Sequence, residues 1–226
     1  LPFGPVLTVW EVDLGLLLIL AFAGINVLAL LLAGWASNNK YGLLGAGRAV
    51  AQSVAYEIPL LLTVLAIAFQ SGTLNLSTIV SQQGSWPWQW NIVTQPLAFI
   101  IYLISALGET NRAPFDLPEA ESELTAGFHT EYSGMGFGMF FLAEYANMIV
   151  VSGVCTALFL GGWKGPFVDG FWWYLVKVYA LLGAMIWFRW TYPRVRFDQL
   201  LNINWKWLLP LATLNLLGTA FLMKVF

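Results

Sequence analysis

Residues 14–34 read LGLLLILAFAGINVLALLLAG, a run of 21 residues without a charged side chain. A helix needs about 20 apolar residues to cross the hydrocarbon core of a bilayer, which is roughly 30 Å thick. The run has that length, and its most polar side chain is Asn26. It therefore predicts a transmembrane helix.

Five further segments have the same character, and the composition agrees with them. The 226-residue chain is 59% hydrophobic and 10% charged, whereas soluble domains average about 25% charged residues. Such a chain cannot cover a folded surface with charge and stay soluble. We expect an all-α polytopic membrane protein, one transmembrane domain over 1–226 with about six transmembrane helices. The expected spans are Leu14–Gly34, Ala49–Gln70, Thr94–Leu107, Met135–Leu160, Phe171–Phe188 and Trp207–Val225.

The residue counts exclude several kinds of site. One Cys and one His cannot build a disulfide framework or a Cys/His metal site, and an iron–sulfur cluster needs about four thiolates. A net charge of −2 provides no basic surface for nucleic acid. We expect no metal, no cofactor bound by this chain alone and no nucleic-acid partner. Because the chain begins with Leu rather than Met, we also expect it to be part of a longer protein.

Basic residues are concentrated in the loops on one side of the predicted bundle. That side receives seven of the ten: Lys40, Arg48, Arg112, Arg189, Arg194, Arg196 and Lys206. By the positive-inside rule it faces the cytoplasm or the mitochondrial matrix, and we call it the inner side. The loop from Ser71 to Val93 on the opposite side has no charged residue but carries Trp86, Trp88 and Trp90, which is typical of the aromatic belt at a membrane interface.

One inner loop, residues 109–134, holds half of the twelve acidic residues. Its text from 109 to 131, ETNRAPFDLPEAESELTAGFHTE, contains Glu109, Asp116, Glu119, Glu121, Glu123 and Glu131. Asp116 followed by Glu119 is a capping-box pattern with Pro118 in the first turn, so the loop should contain a short helix. A solvated loop helix is one interpretation. Alternatively, because crowded carboxylates in a partly dry site raise one another's pKa, the loop is a candidate proton store.

Two further carboxylates, Glu57 and Glu144, lie inside predicted spans. Each is about 12–14 Å from the inner end of its span at 1.5 Å per residue. An ionised carboxylate at that depth is unfavourable, so each should be neutral, paired or hydrated, and a functional role is the default expectation. A structural hydrogen bond to a neighbouring helix is the alternative. Tyr56 and Tyr145 flank the two acids and are expected to donate hydrogen bonds to them.

The last inner loop combines Arg189, Arg194 and Arg196 with aromatic residues. Positive-inside anchoring explains it. A second interpretation is that these arginines pair with the acidic loop or close a headgroup-binding cavity. Arg48 is nine residues from Glu57 and should meet the membrane edge rather than the acid.

Several strings resemble one known family, the H subunit of bacterial NADH:quinone oxidoreductase, which corresponds to NADH dehydrogenase subunit 1 of mitochondrial respiratory complex I. The strings are GWASNNKY (34–41), RAVAQ (48–52), YE (56–57), ETNRAPFDLPEAESE (109–123), TEYS (130–133), FFLAEY (140–145), YPR (192–194) and DQL (198–200). The resemblance covers essentially the whole chain. It implies an eight-helix fold, of which this chain holds the last six helices and lacks the N-terminal two.

The resemblance implies a subunit of a proton-pumping oxidoreductase that has no catalytic residue of its own. It would help to form the quinone chamber and couple reduction of the substrate quinone to proton translocation. FMN, NADH and the iron–sulfur clusters would belong to partner subunits. Those partners are the peripheral quinone-site and iron–sulfur subunits and the antiporter-like membrane subunits. The expected location is the bacterial plasma membrane, with the mitochondrial inner membrane as the alternative.

Matching positions carry the family's roles over to this sequence. The loop bordering the quinone chamber would comprise Glu109, Arg112, Asp116, Glu119, Glu121 and Glu123. The proton path would comprise Glu57, Glu144, Glu131, Tyr56 and Tyr145, with cationic support from Arg48, Arg194 and Arg196.

Three other classes share parts of this pattern. A membrane-bound hydrogenase or a ferredoxin- or deazaflavin-linked dehydrogenase uses the same scaffold subunit, but FFLAEYANMI (140–149) and the complete acidic string favour the NADH–quinone group. An autonomous proton-coupled transporter also uses intramembrane Glu, yet the sequence shows no internal repeat and no pair of matching broken helices. A purely structural anchor does not explain carboxylates gathered in and under one loop.

Overall fold

The computed structural model describes residues 1–4, 12–116, 127–166 and 169–225, and every regular element in these ranges is helical. Six helices form the framework: α1 (Gly15–Ala36), α2 (Lys40–Ser71), α3 (Pro96–Glu109), α4 (Met135–Phe159), α5 (Phe171–Thr191) and α6 (Phe197–Val225). The shorter elements are Leu76–Gln82, Pro87–Gln89, Asn91–Thr94 and Gly127–His129. Of the six framework helices, all except α3 are long and apolar enough to cross a membrane.

The described helices confirm a polytopic helical membrane protein and move some of the expected boundaries. Helix α2 begins at Lys40 rather than at Ala49, since Asn39 caps it by accepting a hydrogen bond from the Tyr41 backbone N–H at 3.0 Å. Its 32 residues extend about 48 Å, which is longer than the hydrocarbon core.

Helix α3 is shorter than a membrane span. It has 14 residues and is about 21 Å long, because Pro96 occupies its first turn and cannot continue a helix from the preceding residues. The Trp-rich stretch before it forms the separate turns Pro87–Gln89 and Asn91–Thr94 instead. Residue 109 thus lies at the inner end of α3, outside the five spanning helices.

Helix α2 is the centre of the bundle and packs against α1, α3 and α6. Its buried face includes Tyr56, Val64 and Ile67, none of which is exposed. Small residues allow the close approach: a Cβ atom on Gly34 of α1 would collide with the side chain of Ala46. Close contact through small residues is the usual way in which helices associate in a membrane.

A proline in α2 connects this helix to α6. Pro59 lies inside α2 and has no N–H, so it leaves the Ala55 carbonyl without its helical donor. The buried side chain of Asn204 supplies the donor, with its Nδ2 at 2.6 Å from that carbonyl. Asn204 begins a π-helical turn, Asn204–Leu208, within α6. The irregularities in the two helices therefore meet and satisfy each other.

On the outer side, Lys177 of α5 holds the end of α4. Its Nζ donates hydrogen bonds to the carbonyls of Leu160, Gly162 and Lys164 at 2.5, 3.1 and 2.6 Å, and lies 4.1 Å from the centre of the Trp90 ring. A cation is stabilised at the carbonyl end of a helix. Trp86 and Trp88 are 57% and 79% exposed, as residues of an interface belt should be.

We predict that Asn204→Leu destabilises the bundle. The substitution leaves the buried Ala55 carbonyl without a donor, a loss of about 1–2 kcal/mol for a hydrogen bond between membrane helices. The measurement is the midpoint of thermal unfolding of the full-length protein in mild detergent. Asn202→Leu, an exposed residue of the same helix, is the matched control. Equal midpoints for the two variants would contradict the role assigned to Asn204.

Candidate functional site

A small polar cavity lies at the inner ends of the helices. Its volume of about 20 Å³ accommodates roughly one water molecule. Two carboxylates, Glu109 of α3 and Glu144 of α4, line the same cavity. The other lining residues are Asn26, Leu30, Thr110, Asn111, Phe128, Phe140, Ala143 and Asn147. The structure thus brings an acid of the inner loop and an acid inside a span to one place.

Arg112 provides a cation beside this cavity. Its Nη2 lies 3.3 Å from Oε2 of Glu144, and the two side chains are 9% and 16% exposed. The guanidinium carbon also lies 4.4 Å from the centre of the Tyr145 ring, a distance typical of a cation–π contact. Arg112 therefore binds two consecutive residues of α4 and attaches the beginning of the acidic loop to that helix.

Glu57 approaches the same cluster from α2. Its Oε1 faces Gly24 of α1, where a Cβ atom would lie 3.5 Å away, so α1 leaves room for the carboxylate. Glu109 is 8% exposed. Its burial, and secondly the charge of Glu57, raise the pKa of Glu109 from 4.5 to about 7. A carboxyl group with such a pKa exchanges protons near neutral pH.

Gln52 positions the inner end of α3 and the start of the loop. Its Nε2 donates hydrogen bonds to the carbonyls of Gly108 at 2.8 Å and Phe115 at 2.6 Å. Gly108 lies directly on the ring of Tyr56, since a Cβ atom there would be 2.5 Å from the ring carbons. These contacts fix Glu109 and Arg112, which lie between the two carbonyls that Gln52 holds.

The expected hydrogen bond from Tyr56 to Glu57 is wrong. The buried Tyr56 hydroxyl donates to the Leu200 carbonyl of α6 at 3.2 Å. Neighbouring positions on an α-helix point about 100° apart, so Tyr56 faces α6 while Glu57 faces α1. Tyr145 contacts Arg112 through its ring. The two tyrosines therefore hold neighbouring segments in place.

Other residues expected at the site lie elsewhere. Glu131 is exposed and accepts a hydrogen bond from Asn39 at 2.8 Å, away from the cavity. Arg48 lies 6.0 Å from the Phe197 ring of α6, and Arg194 and Arg196 are exposed.

The acidic loop itself is described only at its two ends. Asp116 is half-buried at one end, and Gly127 begins the other with a positive φ of 65°. Phe115 and Phe128 are buried, which confirms that these ends pack against the bundle. Glu119, Glu121 and Glu123, and with them the predicted capping box, lie outside the described residues.

The amides around the cavity were not among the expected site residues. Asn26 is the most polar side chain of the apolar run that begins α1, and polar residues within membrane helices commonly mark functional sites. Asn147 follows Glu144 by three residues and so shares its face of α4. Asn111 has a positive φ of 50°, which this sequence does not predict. In the part of the chain that the structure describes, no three His, Cys, Asp or Glu side chains are grouped as a metal site requires.

Comparison with known proteins gives a consistent result. The family model for NADH dehydrogenase matches residues 1–220. The H subunit of NADH-quinone oxidoreductase from Desulfotalea psychrophila is 50% identical, over 100% of this chain and 71% of its own length. Its namesake from Dehalococcoides mccartyi strain CBDB1 is 48% identical over 98% of this chain, which spans 62% of that relative. The protein numbered 1 of this name in Geobacter metallireducens is 47% identical over 100% of this chain and 70% of its own.

We predict that Glu109→Gln reduces the pH dependence of stability. Because the pKa of Glu109 is raised from 4.5 to about 7, the folded protein binds the extra proton, and stability falls as the pH rises between these two values. Gln cannot ionise, so the variant should lose this slope and be the more stable protein at pH 8. The measurement is the thermal midpoint of the full-length protein in detergent from pH 5 to 8.

The matched control for this experiment is Glu131→Gln. Glu131 is exposed and bonded to a neutral amide, so its replacement should leave the pH profile close to that of the unsubstituted protein. A wild-type slope in Glu109→Gln would contradict the environment described for Glu109.

Proposed function

Since the chain belongs to the NADH dehydrogenase family, as a relative of the H subunit of NADH-quinone oxidoreductase, we propose that it is a membrane subunit of the proton-translocating NADH:quinone oxidoreductase. The relatives' names favour this complex over a hydrogenase or a ferredoxin- or deazaflavin-linked dehydrogenase. They support the plasma membrane of a bacterium as its location, because these relatives are bacterial proteins.

In this proposal the chain binds and couples, and the redox groups belong to its partners. The single thiol, Cys155, is buried within α4, and a lone thiol cannot hold an iron–sulfur cluster. FMN, NADH and the clusters are assigned to partner subunits that dock on the inner side. Antiporter-like subunits would continue the membrane arm. Quinone is the substrate of the complex, in a chamber bordered by the acidic loop over 109–134.

One observation carries the mechanism: Glu109 and Glu144 line one cavity, and Glu57 lies close enough to influence Glu109. Reduction of a quinone to a quinol takes up protons with the electrons. Proton uptake at the chamber would change the charge of the loop carboxylates Asp116, Glu119, Glu121 and Glu123.

Glu109 is the described loop acid that is in contact with the membrane interior, so it would receive that change first. Arg112 lies 3.3 Å from Glu144 and balances its negative charge. A proton gained by Glu109 lowers the negative charge facing Glu57, which then passes the change towards the neighbouring membrane subunits. Tyr145 supports Arg112 in this arrangement, and Tyr56 holds α6 rather than carrying protons.

Glu57→Gln should abolish coupled turnover. Gln keeps the size of the side chain but cannot exchange a proton, and a positioned proton-transfer group contributes about 10²–10⁴-fold to a rate. We expect inhibitor-sensitive NADH:quinone activity of the complex, purified through the tagged full-length chain, to fall at least about tenfold, with proton pumping lost. Asp13→Asn, an exposed acid beyond the opposite end of α1, is the control. Normal coupled activity in Glu57→Gln would contradict the proposal.

Co-purification tests the assignment to this complex. Iron–sulfur signals in electron paramagnetic resonance and NADH:quinone activity should appear in the fraction that contains the tagged chain. Clusters without NADH activity would instead support a hydrogenase-like complex. A chain that leaves intact membranes alone and without metal would favour an autonomous transporter.

A further inference from the structure

An apolar groove opens between α3 and the inner end of α5. Its volume is about 590 Å³, within the range of roughly 300–1,000 Å³ that is usual for small-molecule sites. The lining side chains of α3 follow one face of the helix, at spacings of three and four residues. The principal lining residues are Ile100, Leu103, Ile104 and Leu107 of α3, with Phe188 of α5 and Tyr192 beyond it.

The groove is distinct from the carboxylate cavity. The two share no lining residue, and no lining residue of the groove is ionisable apart from the phenol of Tyr192. The backbone N–H of Val195 donates to the Pro114 carbonyl at 3.1 Å and closes the inner end. A hydrocarbon chain fits this lining, since every apolar surface that it covers is removed from a polar environment.

Positive charge lies at the inner rim of the groove. Pro193 and Val195 line it, so Arg194 between them is on its edge, and Arg196 follows next but one. Both arginines are exposed, and neither forms an ion pair with a carboxylate in the ranges that the structure describes. A guanidinium group binds phosphate through two parallel hydrogen bonds.

We propose that this groove binds one acyl chain of an anionic phospholipid of the inner leaflet, whose phosphate is held by Arg194 and Arg196. Basic sites between transmembrane helices on the cytoplasmic side are typical positions for anionic headgroups. The charge distinguishes this occupant from a neutral lipid or the uncharged tail of a quinone, neither of which neutralises the arginines. The inference does not depend on the proposed redox function, because binding of the lipid requires no electron transfer.

The test measures phosphatidylglycerol bound to the full-length protein with its co-purifying subunits, after detergent exchange and titration with phosphatidylglycerol in a phosphatidylcholine background. Native mass spectrometry counts the lipids that remain bound. Since each basic residue contributes about 1 kcal/mol to anionic lipid binding, Arg194→Gln with Arg196→Gln should weaken one phosphatidylglycerol site about 10- to 30-fold. Binding of phosphatidylcholine should not change.

Two further variants separate headgroup from tail. Lys40→Gln removes one exposed inner-side charge away from the groove and should affect that site less than Arg194→Gln alone. Leu103→Trp narrows the groove without changing charge and should also release one phosphatidylglycerol. Equal effects of Lys40→Gln and Arg194→Gln would overturn the proposal, as would full retention by Leu103→Trp. A Leu103→Trp variant that retains the lipid but has a raised KM for quinone would assign the groove to a quinone tail instead.

Discussion

The ion pair between Arg112 and Glu144 is the interaction on which the inner half of this structure depends. A carboxylate within a membrane helix is unfavourable unless it is neutral, hydrated or paired, and Arg112 supplies a partner 3.3 Å from Glu144. The same guanidinium covers the Tyr145 ring. Because Arg112 follows α3 by three residues, the pair also fixes where the acidic loop leaves the membrane. Removing one charge of such a buried pair is far more damaging than removing both.

Helix α2 provides the frame within which this pair forms. Gln52 holds the end of α3 and the first part of the loop, Tyr56 binds the Leu200 carbonyl, and the carbonyl that Pro59 frees is bound by Asn204. These polar groups of α2 hold neighbouring segments and are therefore occupied by structural bonds. Glu57 lies on a different face, against Gly24 of α1, and is the acid of this helix that can respond to Glu109.

The spans were predictable because only helices or closed barrels satisfy the backbone in lipid, and runs such as 14–34 have helix length. Glu57 and Glu144 were also predictable, since charge stands out in apolar sequence. The shared cavity was not, because it depends on where α3 ends and on a hydrogen bond from Gln52 to residues 56 and 63 positions away. The direction of Tyr56 depends on packing against α6, which sequence proximity to Glu57 does not reveal. The amides of Asn26 and Asn147 gave a weaker signal than the carboxylates, although they line the same cavity.

The most direct measurement is a double-mutant cycle on this ion pair. The full-length protein would be purified with its co-purifying subunits as wild type, Arg112→Gln, Glu144→Gln and the double variant, and the thermal midpoint of each compared. The structure predicts that the double variant loses less stability than the two single variants together, with a coupling of about 0.5–3 kcal/mol. Strictly additive losses would show that Arg112 and Glu144 do not interact, and would contradict the central role of this pair in the site.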